Sequence, residues 1–230
     1  MKYQGKILSR DRLKQLAQLD RQTLFQVTYK ESLWGSKTGS VFYSGSGSHI
    51  SEHYQSYVNS VNHFIGQCHQ PPIIVDLGCG DFHIGCQLLL HASHYHGCDI
   101  VPELIDYNRS NHAADKVEFH CLDGVSDSLP EGDILLIRQV LQHLDNDEIL
   151  AITRYFHGFN HVIVTEHIPD GHFVANKNKP HGPDNRMRLN SGIDLLQPPF
   201  SVTGFTCQVL DETSSQDFPG ILKTQLFSRD

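Results

Sequence analysis

Ile73-Ile74-Val75-Asp76-Leu77-Gly78-Cys79-Gly80-Asp81-Phe82 is the stretch on which the reading of this 230-residue chain turns. Its apolar run starts after Pro71-Pro72 and stops at a Gly-x-Gly turn, the pattern of a strand buried on both faces of a parallel sheet. Two glycines remove the side chains that would keep a ligand from the backbone. The following residues, His83 to Leu90, read as a helix whose N-terminus would face that ligand. Together these features describe a nucleotide-type cofactor site.

Downstream, strands and helices alternate with short connections. Strands are expected at 72–78, 95–100, 117–122, 133–138 and 161–165, with helices at 83–92, 102–112 and 146–157. Such alternation predicts an α/β fold with a doubly wound, mostly parallel sheet, whose ligands sit at the carboxyl ends of the strands. Two closing strands, 205–210 and 221–227, follow a polar stretch (169–183) and a short helix within 190–200. Upstream, Leu13, Leu16, Leu19, Phe25 and Tyr29 predict an amphipathic helix over 10–29. By composition Ser44-Gly45-Ser46-Gly47-Ser48 reads as a flexible linker, or as a loop that folds over the cofactor ahead of a helix near 49–67. Trp34 is read as a cover over the substrate. The division expected is an N-terminal helical cap over 1–69 and a cofactor-binding domain over 70–230.

Composition narrows the class. A formal net charge of -8 argues against a protein built to hold a phosphate backbone, and so against nucleic acid as partner. No apolar run approaches twenty residues, so no membrane span is expected, and the N-terminus lacks a signal core. Six cysteines without C-x-x-C spacing read as structural thiols in a reducing, cytoplasmic setting. Sixteen histidines are many, yet no H-E-x-x-H or finger spacing appears, and no metal is expected.

The chemistry is carried by acids at strand ends. Asp76 suits a ligand with a cationic group better than a pyrophosphate, and the third small residue of a dinucleotide fingerprint is replaced by His83. Asp99 can accept hydrogen bonds from both hydroxyls of a ribose, or cap the helix after it. Asp123-Gly124 is an acid at a third strand end, or a plain turn. Arg138 can pair with Asp76 or with an anionic substrate. His143 and Glu166 are candidate bases, while Arg186 and Asn190 are candidates for binding the acceptor.

The pattern Asp76-x-Gly78-Cys79-Gly80 resembles motif I of the class I S-adenosylmethionine-dependent methyltransferases, with Phe82 where a third glycine is usual. Cys98-Asp99-Ile100 matches the acid of the family's motif II, and Asp123-Gly124 resembles the motif that meets adenine. The resemblance implies S-adenosyl-L-methionine as cofactor, a seven-stranded sheet closed by an antiparallel hairpin, and a segment from Ile137 to Leu144, including Arg138 and Gln139, lining sulfonium and acceptor. Arg138-Gln139-Val140-Leu141 is not the Asp/Asn-Pro-Pro-aromatic tetrapeptide of nucleic-acid amino-methyltransferases. The expected activity is therefore O- or N-methylation of a small polar acceptor. An NAD-type oxidoreductase and a non-catalytic S-adenosylmethionine-binding module are the alternatives.

Overall fold

The computed structural model describes residues 6–215 and 218–230. Ser9 and Asp20 each turn a side-chain oxygen onto a backbone N–H three residues on, and these two caps split the single helix expected over 10–29. The products are α1 (Arg10–Leu16) and α2 (Arg21–Lys30), followed by the one-turn α3 (Ser46–His49) and the long α4 (Ser51–Gly66). Then come β1 (Ile73–Leu77), β2 (His94–Asp99), α5 (Pro102–Asn111), β3 (Val117–Cys121), β4 (Ile134–Arg138), α6 (Asn146–Thr153), β5 (His161–Ile168), β6 (Phe205–Ser215) and β7 (Phe218–Arg229).

The seven strands run in the order β3-β2-β1-β4-β5-β7-β6. The first five are parallel, and β7 lies antiparallel between β5 and β6. The order turns outward in both directions from β1 and β4, so the crevice of a doubly wound sheet opens at their carboxyl ends. Alternation divides the apolar side chains into two layers. Ile74, Tyr95, Phe119, Leu136 and Ile163 pack with Tyr57, Val58, Val61 and Ile65 of α4 on one face. Val75, Leu77, Cys98, Leu135, Ile137 and Val162 pack with Ile149 and Ile152 of α6 on the other. Thus α4 belongs to the sandwich, while α1 and α2 have a small core of their own around Leu16, Leu24 and Leu33.

Two expectations fail. The helix predicted at 83–92 is absent, and only a single 3-10 turn forms at Gly85–Leu88. Phe82 takes a left-handed backbone (φ +61°) and drives its ring between Tyr95 and Phe119, against Gly85. A chain committed to that turn, with glycine three residues later, does not propagate a helix. The short helix expected in 190–200 is likewise replaced by turns, preceded by a 3-10 turn at Met187–Leu189. All six cysteines are free thiols.

Candidate active site

A cavity of about 500 Å³ opens at the carboxyl ends of β1 to β4. Its floor is the Gly-x-Gly turn. Both Gly78 N and Cys79 N donate to Cys98 O, which ties the turn to β2. Gly78 and Gly80 have φ of +78° and +55°, and a Cβ on either would lie 2.3 Å from Val140 Cγ2 or 2.5 Å from Ser44 Oγ. Glycine is required there for conformation and for space.

Three acids reach this cavity from adjacent strands. Asp76 accepts from the Tyr95 hydroxyl at 2.7 Å, and burial pushes its carboxyl up to about 6 against the help of that bond. Asp99 accepts from Gly80 N and Val101 N, both at 3.1 Å, and burial raises it to about 6 as well. The backbone bond two residues on is an Asx turn, while Val101 takes the N-cap position of α5. Asp123, after β3, is gripped by Arg21 through Nε at 2.9 Å and Nη2 at 2.6 Å. Arg21 reaches Glu148 Oε1 with its other nitrogen, so it bridges the start of α2 to α6. Ile100 and Gly124 also line the cavity.

The Ser44–Ser48 run does not behave as a linker. Ser44 N donates to Asp81 Oδ2 and Ser44 Oγ accepts from Asp81 N, which pins the loop to the glycine turn. His49 Nε2 meets the same carboxylate at 2.6 Å, its ring stacked between Tyr43 and His83. From below, Arg138 donates to Gly47 O at 2.8 Å and Ser48 Oγ at 3.2 Å, and lies over the Tyr57 ring. Among the described residues Arg138 makes no ion pair with Asp76, because its guanidinium is turned to this loop. Gln139, at φ +57°, lays its amide where a side chain on Gly47 would stand.

The far wall is aromatic. Trp34 stands 5.0 Å from His143 and 6.0 Å from Phe25, ring centre to ring centre, and its Nε1 donates to Pro183 O. His167 N donates to Gln142 Oε1, which turns the Gln142 amide nitrogen toward His143 Nε2 at 3.3 Å. That nitrogen then accepts, and the ring proton sits on the buried Nδ1. Burial holds His143 down to about 3, with Lys179 adding to it and the carbonyls of Asp184 and Gly182 opposing it weakly. The imidazole is neutral at ordinary pH.

Three of the predicted residues lie elsewhere. Glu166 faces away from the cavity, its two oxygens accepting from Leu141 N and Gln142 N, and burial raises it to about 8. Its neighbour His167 takes the cavity side, as the opposite parity of an extended strand requires. Arg186 is 0% exposed, and its five N–H groups all find acceptors: the carbonyls of Lys177, Leu141, Gln142 and Leu144, and Asn146 Oδ1. It is a strut for the polar 169–190 loop. Asn190 is exposed in a left-handed turn and reaches only His172 O. Arg21 and Tyr57 line the cavity without having been singled out in the sequence, and Tyr29, read only as part of a helix, lines it too.

Comparison with known proteins agrees with this geometry. Residues 75–154 match the family described as a methyltransferase domain. A comparison with curated proteins gives no match. Among solved structures, magnesium protoporphyrin IX methyltransferase from Synechocystis with bound S-adenosylmethionine is similar over 92% of this chain and 98% of its own, at 15% identity and a TM-score of 0.61. The N-methyltransferase NodS from Bradyrhizobium japonicum, in complex with S-adenosyl-L-homocysteine, covers 77% and 87% at 11% identity and a TM-score of 0.60. The 1,6-didemethyltoxoflavin-N1-methyltransferase of Burkholderia thailandensis covers 98% and 93% at 12% identity and a TM-score of 0.58. With the family match over 75–154 and the seven-stranded sheet that surrounds it, the chain carries a methyltransferase domain signature in its cofactor-binding half and shares the fold of S-adenosylmethionine-dependent methyltransferases.

Proposed function

We propose that this methyltransferase acts on an oxygen or nitrogen of a small polar acceptor, seated between the Gly-x-Gly turn and the wall of Phe25, Trp34 and His143. The observation that carries this reading is the size of the cavity. Cofactor and acceptor share about 500 Å³, within the ordinary range of small-ligand sites. Asp99 is assigned to the ribose hydroxyls, since each of its oxygens keeps a lone pair after the Gly80 and Val101 bonds. Asp123 and Gly124 are assigned to the adenine end. Asp76, with the backbone of Gly78, Cys79 and Gly80, is assigned to the amino-acid end. Arg138 offers that end its buried Nε, which has no partner.

The bound cofactor supplies a methyl group already activated on a sulfonium, so the protein needs chiefly to align the acceptor and keep water out. Trp34 and Phe25 exclude water. His143 stands in the wall beside the acceptor and stores no proton, since its basicity is suppressed by burial. Glu166 is a positioning residue for the 140–143 turn. The cover over the cofactor is assigned to α1, α2 and the loop through residue 49, while α4 serves the domain that follows. The test is transfer of labelled methyl from S-adenosylmethionine into a cell extract cleared of the protein itself. Label is expected in the small-molecule fraction; label confined to protein or nucleic acid overturns the reading.

A further inference from the structure

Away from the cavity, the outer edge of the sheet gathers histidines. β2 carries His94 and His96 two residues apart, and β3 carries Glu118 and His120. The register sets His96 beside Glu118 and Cys98 beside His120, so the period of a strand brings all four side chains to one face. On that face no helix covers them, because α5 packs on the opposite one and the connection from β3 to β4 contains none among the described residues. The three imidazoles are partly buried, at 27%, 15% and 32% side-chain exposure, and Glu118 reaches over them from solvent at 58%.

We propose that His94, His96, Glu118 and His120 form a site for one divalent transition-metal ion, of which Zn²⁺ is the type. The ligand atoms of His94, His96 and Glu118 all lie within 4.8 Å of one another. His94 Nε2 stands 3.4 Å from Glu118 Oε1, and His96 Nδ1 and His120 Nε2 stand 3.8 and 3.7 Å from Glu118 Oε2. A tetrahedral ion with bonds of about 2.0–2.1 Å separates its ligand atoms by roughly 3.3 Å, so these spacings need only small rotations. His96 Nδ1 and His120 Nε2 are 2.9 Å apart and share one proton. Binding moves that proton to an outward ring nitrogen and leaves both inward lone pairs for the ion. Three imidazoles and one carboxylate suit Zn²⁺, Co²⁺, Ni²⁺ or Cu²⁺, and disfavour Mg²⁺ and Ca²⁺, which take oxygen ligands. The ion would clasp an edge strand to its neighbour, and those strands lead to Asp99 and Asp123.

Chelator-stripped protein without a histidine tag is titrated with Zn²⁺ by calorimetry, and with Co²⁺ by visible absorption. One tight site per chain and the strong d–d bands of tetrahedral Co²⁺ are expected. His96→Ala and His120→Ala are each expected to weaken Zn²⁺ binding by more than about tenfold and to abolish the bands. Glu118→Gln, exposed and nearly isosteric, keeps the test open if a histidine variant fails to fold, and is expected to weaken binding as well. Equal affinity in folded variants would place the ion on other histidines and overturn the proposal. Absent binding, or only the pale spectrum of octahedral Co²⁺, would do the same.

Discussion

Asp99 gives the sharpest test of the cofactor site. Its carboxylate already accepts two backbone N–H groups and has one lone pair left on each oxygen for a sugar hydroxyl. Truncation to Ala removes those bonds in a desolvated place, which should weaken S-adenosylhomocysteine binding by about 1–3 kcal/mol, roughly 5- to 150-fold. The pH dependence follows from the same burial. The free carboxyl is raised from 3.8 to about 6, and binding requires the ionised form, so affinity is complete above about pH 6 and declines as pH falls. The decline should be about tenfold per pH unit if Asp99 alone must ionise. It should approach a hundredfold if Asp76, also held at about 6, must ionise with it. Calorimetry between about pH 8 and pH 5 reads both effects, with Asp99→Asn expected to flatten part of the slope. An Asp99→Ala protein that melts like its parent and binds as tightly would refute the assignment, as would an affinity flat across that range.

Other outcomes follow from the same geometry. Asp76→Asn keeps an acceptor for the Tyr95 hydroxyl but removes an ionised carboxyl whose burial is costly, so the ligand-free protein should gain about 1–3 kcal/mol in urea unfolding at neutral pH while cofactor affinity drops. The gain should vanish below about pH 4, where the carboxyl is protonated folded and unfolded alike. Gly80→Ala sets a Cβ 2.5 Å from Ser44 Oγ at φ +55°, and should cost about 1–2 kcal/mol by thermal melting. Adding Ser44→Gly should relieve the clash but not restore the parent's stability, because it also removes the hydroxyl that accepts from Asp81 N. Arg186→Met takes its donors from the three buried carbonyls of Leu141, Gln142 and Leu144 and should destabilise by about 3–5 kcal/mol, which equilibrium unfolding would register. Trp34→Ala should raise the KM for the acceptor more than it alters cofactor affinity, separable by steady-state kinetics against calorimetry.

The strands that frame the site could be read directly, because β1 to β5 are local patterns of apolar residues bounded by turn signals, and their terminal acids stand in the sequence beside those signals. What escaped depends on contacts between distant segments. Phe82 looks like the residue that leads into a helix until its ring is seen packed against Tyr95. Arg21 is an ordinary first-turn cation unless α2 is known to start above Asp123. Arg186 reads as a cation free to bind the acceptor, since nothing in a polar loop announces the nest of carbonyls that encloses it. Between Glu166 and His167 the alternation of a strand allows one residue to face the cavity, but which one depends on the register of β5 against β7. The histidine group on β2 and β3 becomes visible only when two strands are laid side by side.

The missing helix after the glycine turn has an electrostatic consequence. A helix beginning there would direct positive partial charge into the cleft; here a lone 3-10 turn follows, and the carboxylates of Asp76, Asp81 and Asp99 stand among the residues that line the cleft. Such a pocket discriminates by valence. Those carboxylates favour the donor while sulfur is positive over the neutral thioether left once the methyl has departed.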